Sequence, residues 1–253
     1  SAATVYLRAG EDLPAVADWL VLRAAGVAPD SAARAGLFQR ISSPAAQARI
    51  PWTEALARDR TGDAIGAARA YEALGAKVAA VRVKLVIPDS AARRGARAQL
   101  LGLLTPKLSP EDTEDAIALL DREFPDLTPE EELQVARRAA AANLLERAAL
   151  GYSRARDTLL SDRDRFSRGT VLSRLGRYSE AIGILDRVEG SELRPLAEYQ
   201  RARAMLRSGR LEGAVEQLSA VVRSFPTAVE AAAPAAFLAA DLLVDRGRDD
   251  SAR

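Results

Sequence analysis

Apolar residues recur at helical spacing along nearly the whole chain. Over residues 11–25, Leu13, Val16, Ala17, Leu20, Val21 and Ala24 keep the 3,4 alternation that marks one face of a helix, and Gly26 follows as a stop. Ser31 predicts the cap of a second helix reaching Phe38 and Ile41. Residues 51–60 and 63–74 read as a pair of helices about Thr61-Gly62-Asp63, in the order turn (Gly62), small residue (Ala67), large residue (Tyr71). Residues 78–87 are rich in β-branched side chains and fit either a strand or a helix. With no partner strand elsewhere, a buried helix ending before Pro88 is the better reading. Pro88-Asp89-Ser90 then opens a helix through Leu104.

Two further helix starts share one grammar, Ser109-Pro110-Glu111-Asp112 and Thr128-Pro129-Glu130-Glu131. A hydroxyl caps the free amides, Pro stands where its missing N–H is harmless, and acids favour the positive end of the helix dipole. That role accounts for the cluster Glu111, Asp112, Glu114 and Asp115, whose alternative reading is a catalytic carboxylate pair. Phe124-Pro125 and Phe225-Pro226 each close a helix. Asp115-Ala-Ile-Ala-Leu-Leu-Asp-Arg122 and Glu180-Ala-Ile-Gly-Ile-Leu-Asp-Arg187 match almost residue for residue, 65 positions apart.

The most informative pattern is an interval. Asn143-Leu-Leu-Glu-Arg-Ala148, Gly176-Arg-Tyr-Ser-Glu-Ala181 and Gly209-Arg-Leu-Glu-Gly-Ala214 repeat the same punctuation every 33 residues. A helix-turn-helix unit of about this length cannot bury its apolar faces alone and stacks on copies of itself, so the expected fold is all-α, an α-solenoid or superhelix. Residues 1–127 read as degenerate helical hairpins and residues 128–253 as the more regular repeats, in one continuous superhelical domain. Residues 231–244 read as a buried repeat helix, and Gly247-Arg-Asp-Asp-Ser-Ala252 opens a last repeat that Arg253 truncates, which suggests a piece of something longer.

Composition narrows the chemistry. Cys and His are both absent, which removes thiol nucleophiles, Ser-His relays and Cys/His zinc sites. No catalytic residue, metal ligand or cofactor site is nominated. Lys and Arg number 36 against 35 for Asp and Glu, interspersed, so no basic stripe points to nucleic acid. No segment reaches the ~18 to 20 apolar residues of a membrane span.

The repeats from about residue 128 onward resemble tetratricopeptide repeats. Gly176, Tyr178 and Ala181 in one copy, and Ala202, Gly209, Ala214 and Pro226 in the next, fall at that family's small, aromatic and Pro positions. Arg165 and Glu198 stand where the family carries its first-helix Trp, a departure that marks degenerate copies. The whole chain, with its Ala-rich helix pairs, the Asp12-Leu-Pro-Ala-Val-Ala-Asp-Trp19 start and the helix start at Leu127-Thr-Pro-Glu-Glu-Glu-Leu133, resembles the superhelical N-terminal region of soluble bacterial lytic transglycosylases. The resemblance implies a periplasmic, non-catalytic scaffold that shapes or guides a peptidoglycan strand for a lysozyme-like domain beyond Arg253. That domain's Glu-Ser and Gly-Leu-Met-Gln motifs do not occur here. The alternative is a free-standing repeat adaptor binding a peptide or protein partner in the cell envelope.

In two-helix repeats the first helices line the concave, binding face. Aligning Ala148, Ala181 and Ala214 brings Arg137, Thr170 and Arg203 to one inward position and Ala141, Arg174 and Arg207 to another, with Tyr199 one turn from Arg203. Arg137, Arg174, Tyr199, Arg203 and Arg207 are the candidate binding residues, suited to carboxylates because guanidinium forks pair with them bidentately. A solvated helix face is the plainer alternative. Trp19 and Trp52 lie in apolar stripes and are expected in the core rather than on a sugar-stacking platform.

Overall fold

A computed structural model describes residues 1–245, and every regular element among them is helical. The expected repeat start at Gly247 lies outside the described residues. The chain is all-α and solenoid-like, each helix packing chiefly on its neighbours in sequence. It divides into two compact units, one of Ser1–Leu103 with Ala118–Glu123, the other of Leu104–Ile117 with the chain from Phe124 onward.

The first unit holds α1 (Ala2–Asp12), α2 (Ala17–Gly26), α3 (Ser31–Phe38), α4 (Pro44–Gln47), α5 (Ile50–Arg60), α6 (Ala64–Ala73), α7 (Lys77–Lys84) and α8 (Ser90–Leu103). The helix expected over residues 11–25 is broken. Pro14 has no N–H and restricts Leu13, which takes φ −127° and ψ 68°, so α1 ends at Asp12 and a short 3-10 turn, Pro14–Val16, leads into α2. Asp30, not Ser31, caps α3, its Oδ1 accepting from the Ala33 amide at 2.7 Å. The β-branched stretch is helical: α7 buries Val78, Ala80, Val81 and Val83.

Helix α9 (Pro110–Glu123) opens as its sequence dictates, the Ser109 hydroxyl accepting from the Asp112 amide at 3.0 Å. The second unit continues with α10 (Pro129–Ala141), α11 (Leu145–Arg154), α12 (Asp162–Arg174), α13 (Tyr178–Leu185), α14 (Arg194–Arg207), α15 (Leu211–Ser224) and α16 (Val229–Asp245). Thr128 and Ser161 close capping boxes with Glu131 and Asp164. Helices pair as α10 with α11, α12 with α13 and α14 with α15, while the first helices also touch one another, α10 with α12, α12 with α14 and α14 with α16.

One turn builds most of these hairpins. Among the described residues the left-handed region is occupied by Gly62, Gly75, Asn143, Gly176 and Gly209. After each, the next amide reaches back five residues: Asp63 to Arg58, Ala76 to Tyr71, Leu144 to Ala139, Arg177 to Leu172 and Arg210 to Met205, at 2.8–3.0 Å. This is the Schellman closure, which satisfies carbonyls that the helix end would leave unpaired. The carbonyl of that same residue then accepts the first bond of the following helix from an Ala amide, at Ala67, Ala80, Ala148, Ala181 and Ala214. All five of these alanines are buried. The 33-residue interval in the sequence is thus the interval between left-handed residues. Gly75, which the sequence reading passed over, is a fifth instance, with α6 shared between two turns.

Close approach follows from residue size. Twelve residues before each of those alanines stands a buried small residue: Ala55, Ala68, Ala136, Gly169 and Ala202. Four after it, in α6, α11, α13 and α15, stands a buried large one: Tyr71, Tyr152, Leu185 and Leu218. A Cβ on Gly169 would lie 2.5 Å from Leu185 Cγ, so only glycine lets α13 sit this close to α12. Gly151 has the same role between α10 and α11, where a Cβ would meet Ala136 Cβ and the Glu132 carbonyl at 2.9 Å.

Candidate functional site

The register that the sequence implies carries over to the first helices of the second unit, but the arginines on them are not equivalent. Arg137 on α10 donates from Nε to Asp164 Oδ1 at 2.7 Å and from Nη2 to Oδ2 at 2.8 Å. Asp164 is buried and is also the capping-box acid of α12, so this fork ties one first helix to the next and is already filled. At the equivalent position, Thr170 donates its hydroxyl to the Phe166 carbonyl of its own helix.

Arg174, Arg203 and Arg207 differ from Arg137 in having no carboxylate partner among the described residues. Arg174 is the last residue of α12 and donates to the amide oxygen of Asn143, the left-handed residue one repeat earlier. Arg207 ends α14 at the equivalent place and is exposed. Cations at these ends favour the helix dipole, a structural role that leaves their forward donors open. Arg203 lies over the Tyr199 ring, 5.7 Å from its centroid, and its Nη1 donates to Gln200 at 3.4 Å. Tyr199 packs against the core of Ala202, Leu218 and Val221, so the ring is a fixed support under a partly exposed cation. Two adjoining first helices therefore present three guanidiniums without acids beside them.

Several other arginines of this unit are committed to acids. Glu132 and Glu198, buried at equivalent register, each gather cations. Arg154 donates to Glu132 at 2.9 Å and Arg147 lies 2.9 Å from its other oxygen. Arg194 and Arg201 flank Glu198, and Gln217 donates to it at 2.7 Å. This chain thus buries ion-paired carboxylates at the same register in two of its helix pairs. Tyr178, matched in sequence to an aromatic position, is the first, half-exposed residue of α13. Arg168, which sequence reasoning did not single out, is held below the ordinary guanidinium range by its burial and by Arg187 nearby.

The first unit contains a different feature. A cleft of about 710 Å³ between α1, α2 and α5 is lined by Tyr6, Trp19, Trp52, Arg23, Arg49 and Arg60, with aliphatic walls. Trp19 and Trp52 are 43% and 37% exposed, so the expectation that both lie in the core is corrected. Each does lie in an apolar stripe, and α2 and α5 come together where Gly26 faces the Thr53 methyl, but the outer part of the stripe stays exposed among the described residues. The exposed Val16, Val27 and Leu56 belong to the same surface. Buried Tyr71 braces Trp52 from behind, edge to face at 6.4 Å.

Of the acidic cluster after Ser109, Asp112 accepts from the Ser109 hydroxyl at 2.8 Å in the cap, and among the described residues no group of three or more acids forms a metal-binding cluster. No described helix is long and apolar enough to cross a membrane. No protein-family model and no curated protein matches the chain.

Proposed function

We propose that this chain is the non-catalytic helical-repeat scaffold of a periplasmic, lytic-transglycosylase-like cell-wall protein. On this reading it holds the carboxylate-bearing peptide stems of peptidoglycan and so guides the strand toward a catalytic domain of the same protein. The observation that carries the reading is the contrast among the first helices, where Arg137 is closed by Asp164 while Arg174, Arg203 and Arg207 have no acid partner among the described residues. Unpaired guanidiniums on a braced helical surface suit planar carboxylates, which take two parallel hydrogen bonds from one fork. The tetratricopeptide-like turns supply the rigidity that such a row requires, since each first helix is fixed at its C-terminal end by a Schellman closure.

Calorimetric titration with soluble disaccharide-peptide fragments of the wall tests this. Replacing Arg174, Arg203 and Arg207 together by Ala lowers affinity at least about tenfold with helicity unchanged. Unaltered affinity in the triple variant, or binding of peptide-free glycan alone, removes the carboxylate row as the site.

A further inference from the structure

The cleft of the first unit lies outside the arginine row just described and has a chemistry of its own. Its lining combines two exposed indoles and aliphatic side chains with Arg23, Arg49 and Arg60, and contains no acidic or carboxamide side chain among the described residues. Arg23 and Arg49 have no side-chain partner among those residues, and Arg60 reaches only the Gly26 carbonyl, at 3.3 Å. In a chain whose net charge is +1, three uncompensated guanidiniums around one apolar groove are a local excess of positive charge. They complement an acidic ligand.

The polar groups present also separate ligand classes. A neutral sugar needs acceptors for its hydroxyls, yet the Thr53 hydroxyl already donates to the Arg49 carbonyl at 3.2 Å and the remaining side-chain polar groups, the guanidiniums, the indole N–H groups of Trp19 and Trp52 and the Tyr6 phenol, are almost all donors. An apolar side chain flanked by carboxylates satisfies both halves of the surface: the hydrophobic part fills the space between Trp19, Trp52 and Leu56, and the acids reach the arginines at the rim. A volume of about 710 Å³ accepts a short segment of this kind rather than a folded domain. Trp19 with Arg23, and Trp52 with Leu56 and Arg60, stand one or two helical turns apart, the spacing at which helices bind apolar anchors in a groove. We infer that this cleft is a docking site for an acidic amphipathic peptide segment of a partner protein.

The chain's two tryptophans both line this cleft, so intrinsic fluorescence reports its occupancy directly. Titration with a synthetic peptide of Leu and Phe interleaved with Glu should shift tryptophan emission saturably to the blue. The same peptide with Lys for Glu should not. Added salt should weaken the acidic peptide, and the double variant Arg23→Gln/Arg49→Gln should weaken it by roughly tenfold with an unchanged helical spectrum. Absence of saturable change, equal binding of the Lys peptide, or saturation by a cell-wall oligosaccharide in place of the peptide overturns the inference. Should the double variant lose its helicity, the wild-type comparison of the two peptides and of salt decides the matter alone.

Discussion

Asp164 joins two kinds of order in one side chain. It closes the capping box of α12 and receives the Arg137 fork, so a single buried carboxylate fixes a helix start and ties it to the preceding first helix. Burial by itself raises the Asp164 carboxyl, and the hydrogen bonds from Arg137 and Ser161 more than reverse this, leaving it below its ordinary value of 3.8. A carboxyl lowered by folding contributes stability that is fully present above its unfolded-state pKa and is lost as pH falls through the lower folded-state value. Asp164→Asn therefore costs about 2 kcal/mol near neutral pH, less than for a fully buried pair because half-exposed Arg137 regains water. Urea midpoints measured against pH should show the gap from wild type narrowing below about pH 4. The Ser161–Asp164 capping box has a local pattern in the sequence, three residues apart, that the reading of the helix starts at Ser109 and Thr128 passed over. That the acid also engages Arg137 was not legible, because the partner lies 27 residues earlier on a different helix.

At the scale of the element, the glycines sort into three physical cases. Gly176 holds φ +76° with open space around it, so Gly176→Ala costs about 1 kcal/mol from backbone strain alone, and Gly176→Asn costs less, as Asn143 does the same work naturally. Gly169→Ala costs about 1–3 kcal/mol for a different reason, the collision with Leu185. Gly183, inside α13 with nothing near its missing Cβ, is unconstrained, and Gly183→Ala stabilises by roughly 0.5–1 kcal/mol. Thermal unfolding of the three alanine variants checks both sign and order. The turns at Asn143, Gly176 and Gly209 were readable because punctuation and interval coincide. The turn at Gly75 was not, because it follows Gly62 after only one helix and so breaks the interval. The break at Pro14 was masked by a 3,4 apolar pattern that continues across it.

For the whole molecule, periodicity fixes which face of a helix is apolar and leaves open what covers that face. That is why the all-α stack was legible while Trp19 and Trp52, read as core, line an open cleft. The same holds for the arginine row: register placed Arg137, Arg174, Arg203 and Arg207 on one set of helices, and only side-chain contacts separate the one closed by Asp164 from the three without acid partners among the described residues. Within one set of first helices, paired cations such as Arg137, Arg194 and Arg201 therefore stand near others, Arg174, Arg203 and Arg207, that have no acid partner among the described residues. The most direct test of this account is co-sedimentation of the chain with insoluble peptidoglycan, complete or stripped of its peptide stems by an amidase. Retention on the complete wall, lost both on the stripped glycan and in the Arg174/Arg203/Arg207→Ala variant, is the predicted result. Equal retention on stripped glycan, or none on either, would contradict it.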